Sequence, residues 1–214
     1  MRLLPFFALI PLSASAPAAT LAVAPFTAVE LRSGGEVVVR HGPTQRVELV
    51  AGDARAADIV VDDGRLVVDH CVRRCRHGDG FRVEIVMPRL DAARVESGGS
   101  IEVLPGFPGQ QRVAAAVSNG GIVDIRGISA ASVDAAVDSG GLVLTRPGER
   151  LDASISQGGI VNYWGDPAVR RSVSHGGAVL RGEAADAGRP LAELRPQRPA
   201  VHPVPPVPPL PGRH

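Results

Sequence analysis

Alternating apolar and polar positions run through most of the chain between residues 26 and 183 and predict short β-strands. Valine is common in these runs, as in residues 113–117 and 133–137, and no stretch shows the 3.6-residue period of an amphipathic helix. Asp62-Asp-Gly64 predicts a tight turn between two strands. In the less regular N-terminal part the predicted strands are 26–31, 37–40, 46–50, 59–61, 65–68 and 82–86. The fold class predicted from this pattern is all-β.

A seven-residue unit occurs six times: an aliphatic residue, two mostly polar residues, Gly-Gly, any residue and a second aliphatic residue. Glycine supplies the positive φ that a tight corner requires. The last five units follow one another at intervals of 22, 20, 18 and 18 residues. The predicted turn glycines are Gly34, Gly35, Gly98, Gly99, Gly120, Gly121, Gly140, Gly141, Gly158, Gly159, Gly176 and Gly177.

The near-constant interval favours a parallel β-solenoid, which is β-helix-like, with 18–22-residue coils and a less regular strand-rich N-terminal part. Equivalent aliphatic side chains then stack from coil to coil. The N-terminal strands are either a separate subdomain or irregular first coils that cap the first edge. The predicted columns are Val113, Val133, Leu151 and Val169, then Val117, Val137, Ile155 and Val173, with Ala115, Ala135 and Ala153 between them.

These coils, the opening segment 26–35 and the segment 82–99 resemble the putative auto-transporter adhesin head GIN domain family of secreted bacterial proteins. The resemblance covers residues 26–183, which we therefore interpret as a GIN-type β-solenoid domain. It implies a surface or envelope location and transfers no catalytic residues to this chain. The loop around Cys71 and Cys75 and the proline-rich C-terminal segment are departures from the family's pattern.

The two ends of the chain differ in composition from the middle. Residues 1–18 have a charged start, an apolar run and small residues up to Ala18, which together predict a signal peptide and export to the periplasm, the cell envelope or the exterior. No transmembrane segment is expected in the mature chain. Residues 184–214 are predicted to be a proline-rich disordered tail, since nine of the 19 prolines lie in 190–214. The alternative is a docking ligand for an aromatic groove.

Two cysteines, Cys71 and Cys75, lie four residues apart. An oxidising compartment favours a disulfide between them, which is our prediction. The alternatives are free thiols and a metal site that includes His70 and His77, although four ligands in eight residues would have difficulty surrounding a tetrahedral ion. We expect neither a metal nor a cofactor.

Charge and composition give little support to nucleic-acid binding, because 23 basic and 22 acidic residues leave a net charge of +1 and aromatic residues make up 3% of the chain. An outward row of Asp134, Asp152 and Arg170 places two carboxylates on neighbouring strands, as in a retaining glycosidase. We favour a solvated row of charges there. The weak binding candidates are Tyr163, Trp164, Asn119, Gln157 and His175.

Each candidate has a structural alternative. The polar residues that precede the glycine pairs form either a groove for a glycan or hydrogen bonds at the corners. Trp164 is either an exposed anchor for a sugar or protein, or a cover for a coil end. The predicted function is a non-catalytic secreted or cell-envelope protein, an adhesin-head-like module that contacts an envelope protein or a glycan. The alternatives are a carbohydrate-active β-solenoid enzyme and a periplasmic scaffold that recruits a partner through its tail.

Overall fold

Two β-sheets of nine and eight strands enclose the core in the computed structural model, which describes residues 19–70 and 80–194. Six of the first seven strands correspond closely to the runs predicted from the sequence, and the strand at Ala19–Leu21 is an additional one. A turn through Asp63 and Gly64, both with positive φ, joins two of them as expected. These strands are β1 (Ala19–Leu21), β2 (Ala28–Ser33), β3 (Glu36–His41), β4 (Arg46–Ala51), β5 (Asp58–Asp62), β6 (Arg65–Asp69) and β7 (Arg82–Met87).

The remaining ten strands form five successive coils, each with one strand in either sheet and a glycine pair between the two. All of their neighbour pairings are parallel. In the eight-stranded sheet they are β8 (Ala92–Ser97), β10 (Gln110–Asn119), β12 (Ala130–Ser139), β14 (Pro147–Gln157) and β16 (Ala168–His175). In the nine-stranded sheet they are β9 (Ser100–Val103), β11 (Ile122–Asp124), β13 (Leu142–Thr145), β15 (Ile160–Tyr163) and β17 (Ala178–Arg181).

Equivalent residues of successive coils lie in register, which is what the intervals between the glycine pairs predict. Val113 pairs with Val133, Val133 with Leu151, and Leu151 with Val169. The second aliphatic column and the alanine column between them pair in the same way. The first three members of each aliphatic column are buried, and each buried aliphatic side chain contributes about 1.5–3 kcal/mol to folding.

The N-terminal strands supply the first coils of the same stack, not a separate subdomain. The β2–β3 coil lies beside the β8–β9 coil, and the β6–β7 coil lies on its other side, so the spatial order differs from the chain order. Beyond them β5 pairs antiparallel with β6, β4 with β7, and β1 with β4. The sheets are therefore mixed, and a parallel β-solenoid is not confirmed for the less regular N-terminal part. β5 and β6 form a hairpin through the turn at Asp63 and Gly64, whereas β4, which lies in the other sheet, pairs antiparallel with β7.

The segment after β17 packs back onto the nine-stranded sheet. Residues 184–194 belong to the predicted disordered tail, yet they contain a 3₁₀ turn at Ala184–Asp186 and one helical turn at Leu191–Leu194. Leu191 is buried against Leu144 and Trp164 on the outer face of that sheet. We call residues 183–194 the strap. The rest of the proline-rich segment, residues 195–214, lies outside the described residues.

Arg126 fastens the strap to the sheet. Its guanidinium binds both carboxylate oxygens of Asp124, at 2.9 and 2.6 Å, and donates to the carbonyl oxygens of Asp186 and Arg189 at 2.7 and 2.9 Å. The same guanidinium carbon lies 5.1 Å from the centre of the Trp164 ring. Because the side chains of Asp124 and Arg126 are both buried, this ion pair stands in a setting where charge-assisted hydrogen bonds are strong.

Two predictions fall outside the described residues: the signal peptide at 1–18 and the disulfide between Cys71 and Cys75. Within 19–70 and 80–194 no helix has both the length and the apolar character needed to cross a membrane.

Candidate binding surface

The outer face of the eight-stranded sheet has small side chains over four neighbouring strands, β10, β12, β14 and β16. Outward positions alternate with the buried aliphatic and alanine columns, so the pleat sets which residues reach solvent. One outward row consists of Ala116, Ala136, Ser154 and Ser172. The parallel row beside it consists of Ala114, Asp134, Asp152 and Arg170. We call these two rows together the open face.

The small side chains leave a shallow groove of about 490 Å³ along the open face, bordered by the charged row. Arg112 lies 3.6 Å from the carboxylate of Asp134, and these side chains are 74% and 49% exposed. Exposed ion pairs of this kind contribute little to folding. The charges are therefore available to hydrogen-bond hydroxyl, amide or charged groups of a partner that lies flat in the groove.

Asp134 and Asp152 pair in register as predicted, with Arg170 next in the row. A glycosidase general acid needs surroundings that keep its proton at neutral pH, typically an apolar pocket. Asp134 has an exposed side chain that lies beside Arg112, and it does not lie in an apolar pocket. The pair therefore fits a row of solvated charges better than an acid–nucleophile pair.

The opposite, nine-stranded sheet presents a different outer face. The strap covers Leu144 and Trp164 there, and Ile122 and Leu142 pack against the same small cluster. The two broad faces are therefore unequal, since one is partly occupied by the chain's own strap and the other is left uncovered by residues 19–70 and 80–194.

The polar row that precedes the glycine pairs lies at the corner between the sheets. Asn119 pairs with Ser97 and Ser139, and Gln157 pairs with His175. Asn119, Gln157 and His175 are exposed, and among the described residues no hydrogen bond joins neighbours in the row. These three candidates therefore share one exposed edge, although Ser139 separates Asn119 from the other two.

Tyr163 and Trp164 lie at the other end of β15, away from that corner, and they point to opposite sides of the sheet. Tyr163 pairs with Thr145 and packs against the main core. Trp164 is 5% exposed, and its indole N–H donates to the carbonyl oxygen of Glu183 at 2.7 Å. Trp164 is therefore buried beneath the strap on the outer face of the sheet, where it holds the strap.

The described residues hold no group of three or more His, Cys, Asp or Glu side chains suited to a metal ion. His70, which the sequence placed in a possible metal site, stacks on Phe81 with 4.8 Å between ring centroids and contacts the carbonyl of Ser33 through Nδ1. Cys71, Cys75 and His77 lie outside the described residues.

Sequence reasoning identified the charged row but missed the row of small residues beside it. The sequence does contain a signal for the row of small residues, since Ala116 and Ala136 occupy outward positions where polar residues are usual on a solvated sheet. The predicted columns included only the inward alanines, Ala115, Ala135 and Ala153.

A family model described as putative auto-transporter adhesin, head GIN domain, matches residues 25–106 and 104–167. No curated protein matches the chain. A putative adhesin from Bacteroides fragilis is 14% identical, with a TM-score of 0.48, 77% of this chain covered and 95% of that one. A putative adhesin from Parabacteroides merdae is 13% identical, with a TM-score of 0.39 and coverages of 78% and 96%. A putative lipid binding protein from Parabacteroides distasonis is 11% identical, with a TM-score of 0.34 and the same coverages.

Proposed function

Because the chain belongs to the putative auto-transporter adhesin head GIN domain family, we propose that it is a non-catalytic, adhesin-like module of the cell envelope. In this proposal the protein is exported by its N-terminal signal and the stack of parallel coils is a β-solenoid closed by antiparallel strands at one end. The module contacts a surface glycan or an envelope protein through the open face.

The observation that carries the proposal is the inequality of the two sheet faces. The strap occupies part of the nine-stranded face, whereas the open face combines a groove of about 490 Å³ with a row of opposed charges. Small side chains let a flat partner approach the backbone closely, and the charges beside them fix its orientation. Side chains at the edge of the groove then determine which partner binds.

Ala136→Arg tests this use of the open face, because a long charged side chain in the middle of the groove blocks a flat partner without touching the core. The matched control is Val60→Arg on β5, where Val60 is 45% exposed in the same sheet, far along the strand order from β12. Labelled protein is applied to intact bacterial cells and to an array of immobilised glycans. Wild type and Val60→Arg are expected to bind equally, and Ala136→Arg to lose at least about tenfold in affinity, which corresponds to 1.4 kcal/mol.

Thermal unfolding of all three proteins shows whether the fold is intact. Equal binding by wild type and Ala136→Arg contradicts the proposal, as does an equal loss in both variants. Turnover of any arrayed glycan that Asp134→Asn abolishes would instead support the carbohydrate-active enzyme.

Recruitment through the proline-rich tail is the second candidate, and one observation favours it. Arg126 and Trp164 anchor the strap, so the tail starts from a fixed point on the nine-stranded face. Deletion of residues 195–214 leaves the strap intact. Loss of binding in this variant, with Ala136→Arg unaffected, would place the contact in the tail.

A further inference from the structure

The C-terminal end of the stack exposes two strand edges together with part of the interior. β16 and β17 are the last strands of the two sheets, and within residues 19–70 and 80–194 each pairs with a neighbour on one side only. Val169 and Val173 continue the inner columns of Leu151 and Ile155, but Val173 is 41% exposed because no strand of the described chain lies beyond it. An edge of this kind is a template for pairing with another chain.

One residue breaks the pattern of the inner columns at this end. The position between the two aliphatic columns is alanine in three successive coils, at 115, 135 and 153, and it becomes Arg171 in β16. The alternation of the strand directs Arg171 to the same side as Val169 and Val173. An inward-pointing charge is one of the means by which natural edge strands avoid association.

A second arginine occupies the equivalent place in the other sheet. Arg181 follows Thr145 and Tyr163 in an inner column of β17. Arg181 lies 3.5 Å from Asp166, so its charge is partly balanced within the chain. Arg171 takes part in none of the ion pairs found among the described residues, and its charge therefore stands uncompensated at the end of the stack.

The most favourable partner for this end, by shape, is a second copy of the same end. A two-fold axis normal to the sheets would pair β16 with β16 of the other copy in an antiparallel arrangement and keep the inner faces on the same side. Placing Val169 opposite Val173 of the other copy covers both aliphatic columns. The same register places Arg171 directly opposite Arg171 of the other copy, and like charges that face each other on a strand pair are destabilising.

We infer that the β16–β17 end is a latent surface for end-to-end pairing of two copies and that the charge of Arg171 prevents this pairing. Removing the charge of Arg171 completes the alanine column in β16 and removes the like-charge contact there, while Arg181 remains paired with Asp166. This function of Arg171 is separate from the proposed use of the open face, since it concerns the end of the stack and not its side.

Arg171→Ala is the direct test, and Arg170→Ala is its matched control, because Arg170 is the neighbouring residue, carries the same charge and points outward. Sedimentation velocity over a concentration series measures the association of each protein. Wild type and Arg170→Ala are expected to remain monomeric at the highest concentration of the series. Arg171→Ala is expected to form a dimer whose dissociation constant lies at least about tenfold below that concentration.

A charge exchange tests the register. Arg171→Glu alone is expected to stay monomeric, because two glutamates then face each other. A mixture of wild type with Arg171→Glu brings arginine opposite glutamate and is expected to give a one-to-one dimer that weakens as salt is added.

Three results would overturn the inference. These are a wild-type dimer, an Arg171→Ala protein that stays monomeric or associates no more than Arg170→Ala, and a mixture with Arg171→Glu that associates no more than its components. Far-UV circular dichroism of each variant establishes that the strands are intact in every comparison.

Discussion

Between the two strands of each coil from β8 onward the chain passes through two glycines with positive φ, and their surroundings differ. A Cβ built on Gly140 would meet nothing within 4 Å, whereas one on Gly141 would lie 2.4 Å from Val117 Cγ1 and 3.0 Å from the carbonyl oxygen of Gly121. That oxygen accepts the hydrogen bond from the N–H of Leu142, so it is fixed by the stack. The first glycine is required for its dihedral angles, and the second for the close approach of successive coils as well.

Alanine substitutions at this corner separate the two requirements. We expect Gly140→Ala to cost about 1–2 kcal/mol, the usual price of a left-handed conformation for a residue with a Cβ. Gly141→Ala adds a clash with the neighbouring coil and should cost at least about 1 kcal/mol more. Urea unfolding gives both free energies. Equal losses would show that crowding contributes nothing. Gly140→Asn serves as the control, because asparagine tolerates positive φ.

Glu30 on β2 is a nearly buried carboxylate held between two arginines. Arg32 Nε and Arg65 Nη1 each lie 2.8 Å from one of its oxygens. Burial acts to raise the pKa of Glu30, but the hydrogen bonds and charges of Arg32 and Arg65 outweigh it and hold the pKa below its usual value. A lowered pKa means that the native state favours the ionised form. This contribution to stability is complete above the unfolded pKa and is lost as the pH falls through the folded one.

Replacement of Glu30 by Gln should therefore remove part of the acid sensitivity of the protein. At pH 7 we expect Glu30→Gln to be less stable by about 1.5–3 kcal/mol, the range for hydrogen bonds to charged groups. Below the folded pKa the carboxyl of the wild type is protonated and the difference should shrink. Urea unfolding of both proteins at pH 7 and pH 3 measures it. A difference that stays constant with pH would mean that the charge of Glu30 contributes nothing.

Among the elements, the coils from β8 onward were predictable, and the strap was not. Each coil repeats the glycine pair and the aliphatic positions of the one before, so the sequence itself carries their register. Arg126 and Leu191 belong to no repeat. Arg126 bonds to residues 60 and 63 positions along the chain, and Leu191 packs against Leu144 and Trp164, which come much earlier in the sequence. The sequence also does not indicate that β6–β7 lies beside β2–β3, because the order in which strands pair leaves no periodic signal.

The fluorescence of Trp164 reports on the strap, because Trp164 contacts the strap and is the one tryptophan of the chain. Arg126→Lys keeps the charge but loses the planar fork that binds Asp124 and the two strap carbonyls together. We expect the strap to loosen, the emission of Trp164 to shift to the red, and quenching by acrylamide to increase, with unchanged far-UV circular dichroism. Arg112→Lys on the open face is the control. Unaltered emission in Arg126→Lys would show that Trp164 and Leu191 hold the strap unaided.

The whole molecule has two unlike ends, and its stability should vary between them. The strands of the middle coils pair on both sides and bury their inner columns, whereas β16 and β17 pair on one side and have few buried residues. Edge elements of a linear stack open with less free energy than the middle, since each unit is stabilised mainly by its neighbours.

Hydrogen exchange followed by mass spectrometry should reveal this gradient. Amides of β16 and β17 are expected to exchange at least about tenfold faster than those of β10 and β12, because their opening costs less by 1.4 kcal/mol or more. Uniform protection along the stack would mean that the coils open together as one cooperative unit. The loss of protection in the strap of Arg126→Lys should not extend to β10, which lies in the other sheet.

The regular 18-residue interval has a further consequence for how such a protein can change in length. Each such coil adds one strand to either sheet, and neighbouring strands lie about 4.8 Å apart. Duplicating residues 148–165 in the gene would therefore lengthen the molecule by one such step and repeat the outward pattern once more. It would also place the strap one coil farther from Arg126, whose guanidinium binds the strap carbonyls in the present chain. Reach can thus be adjusted in fixed increments, provided that the anchor of the strap is rebuilt on the new coil.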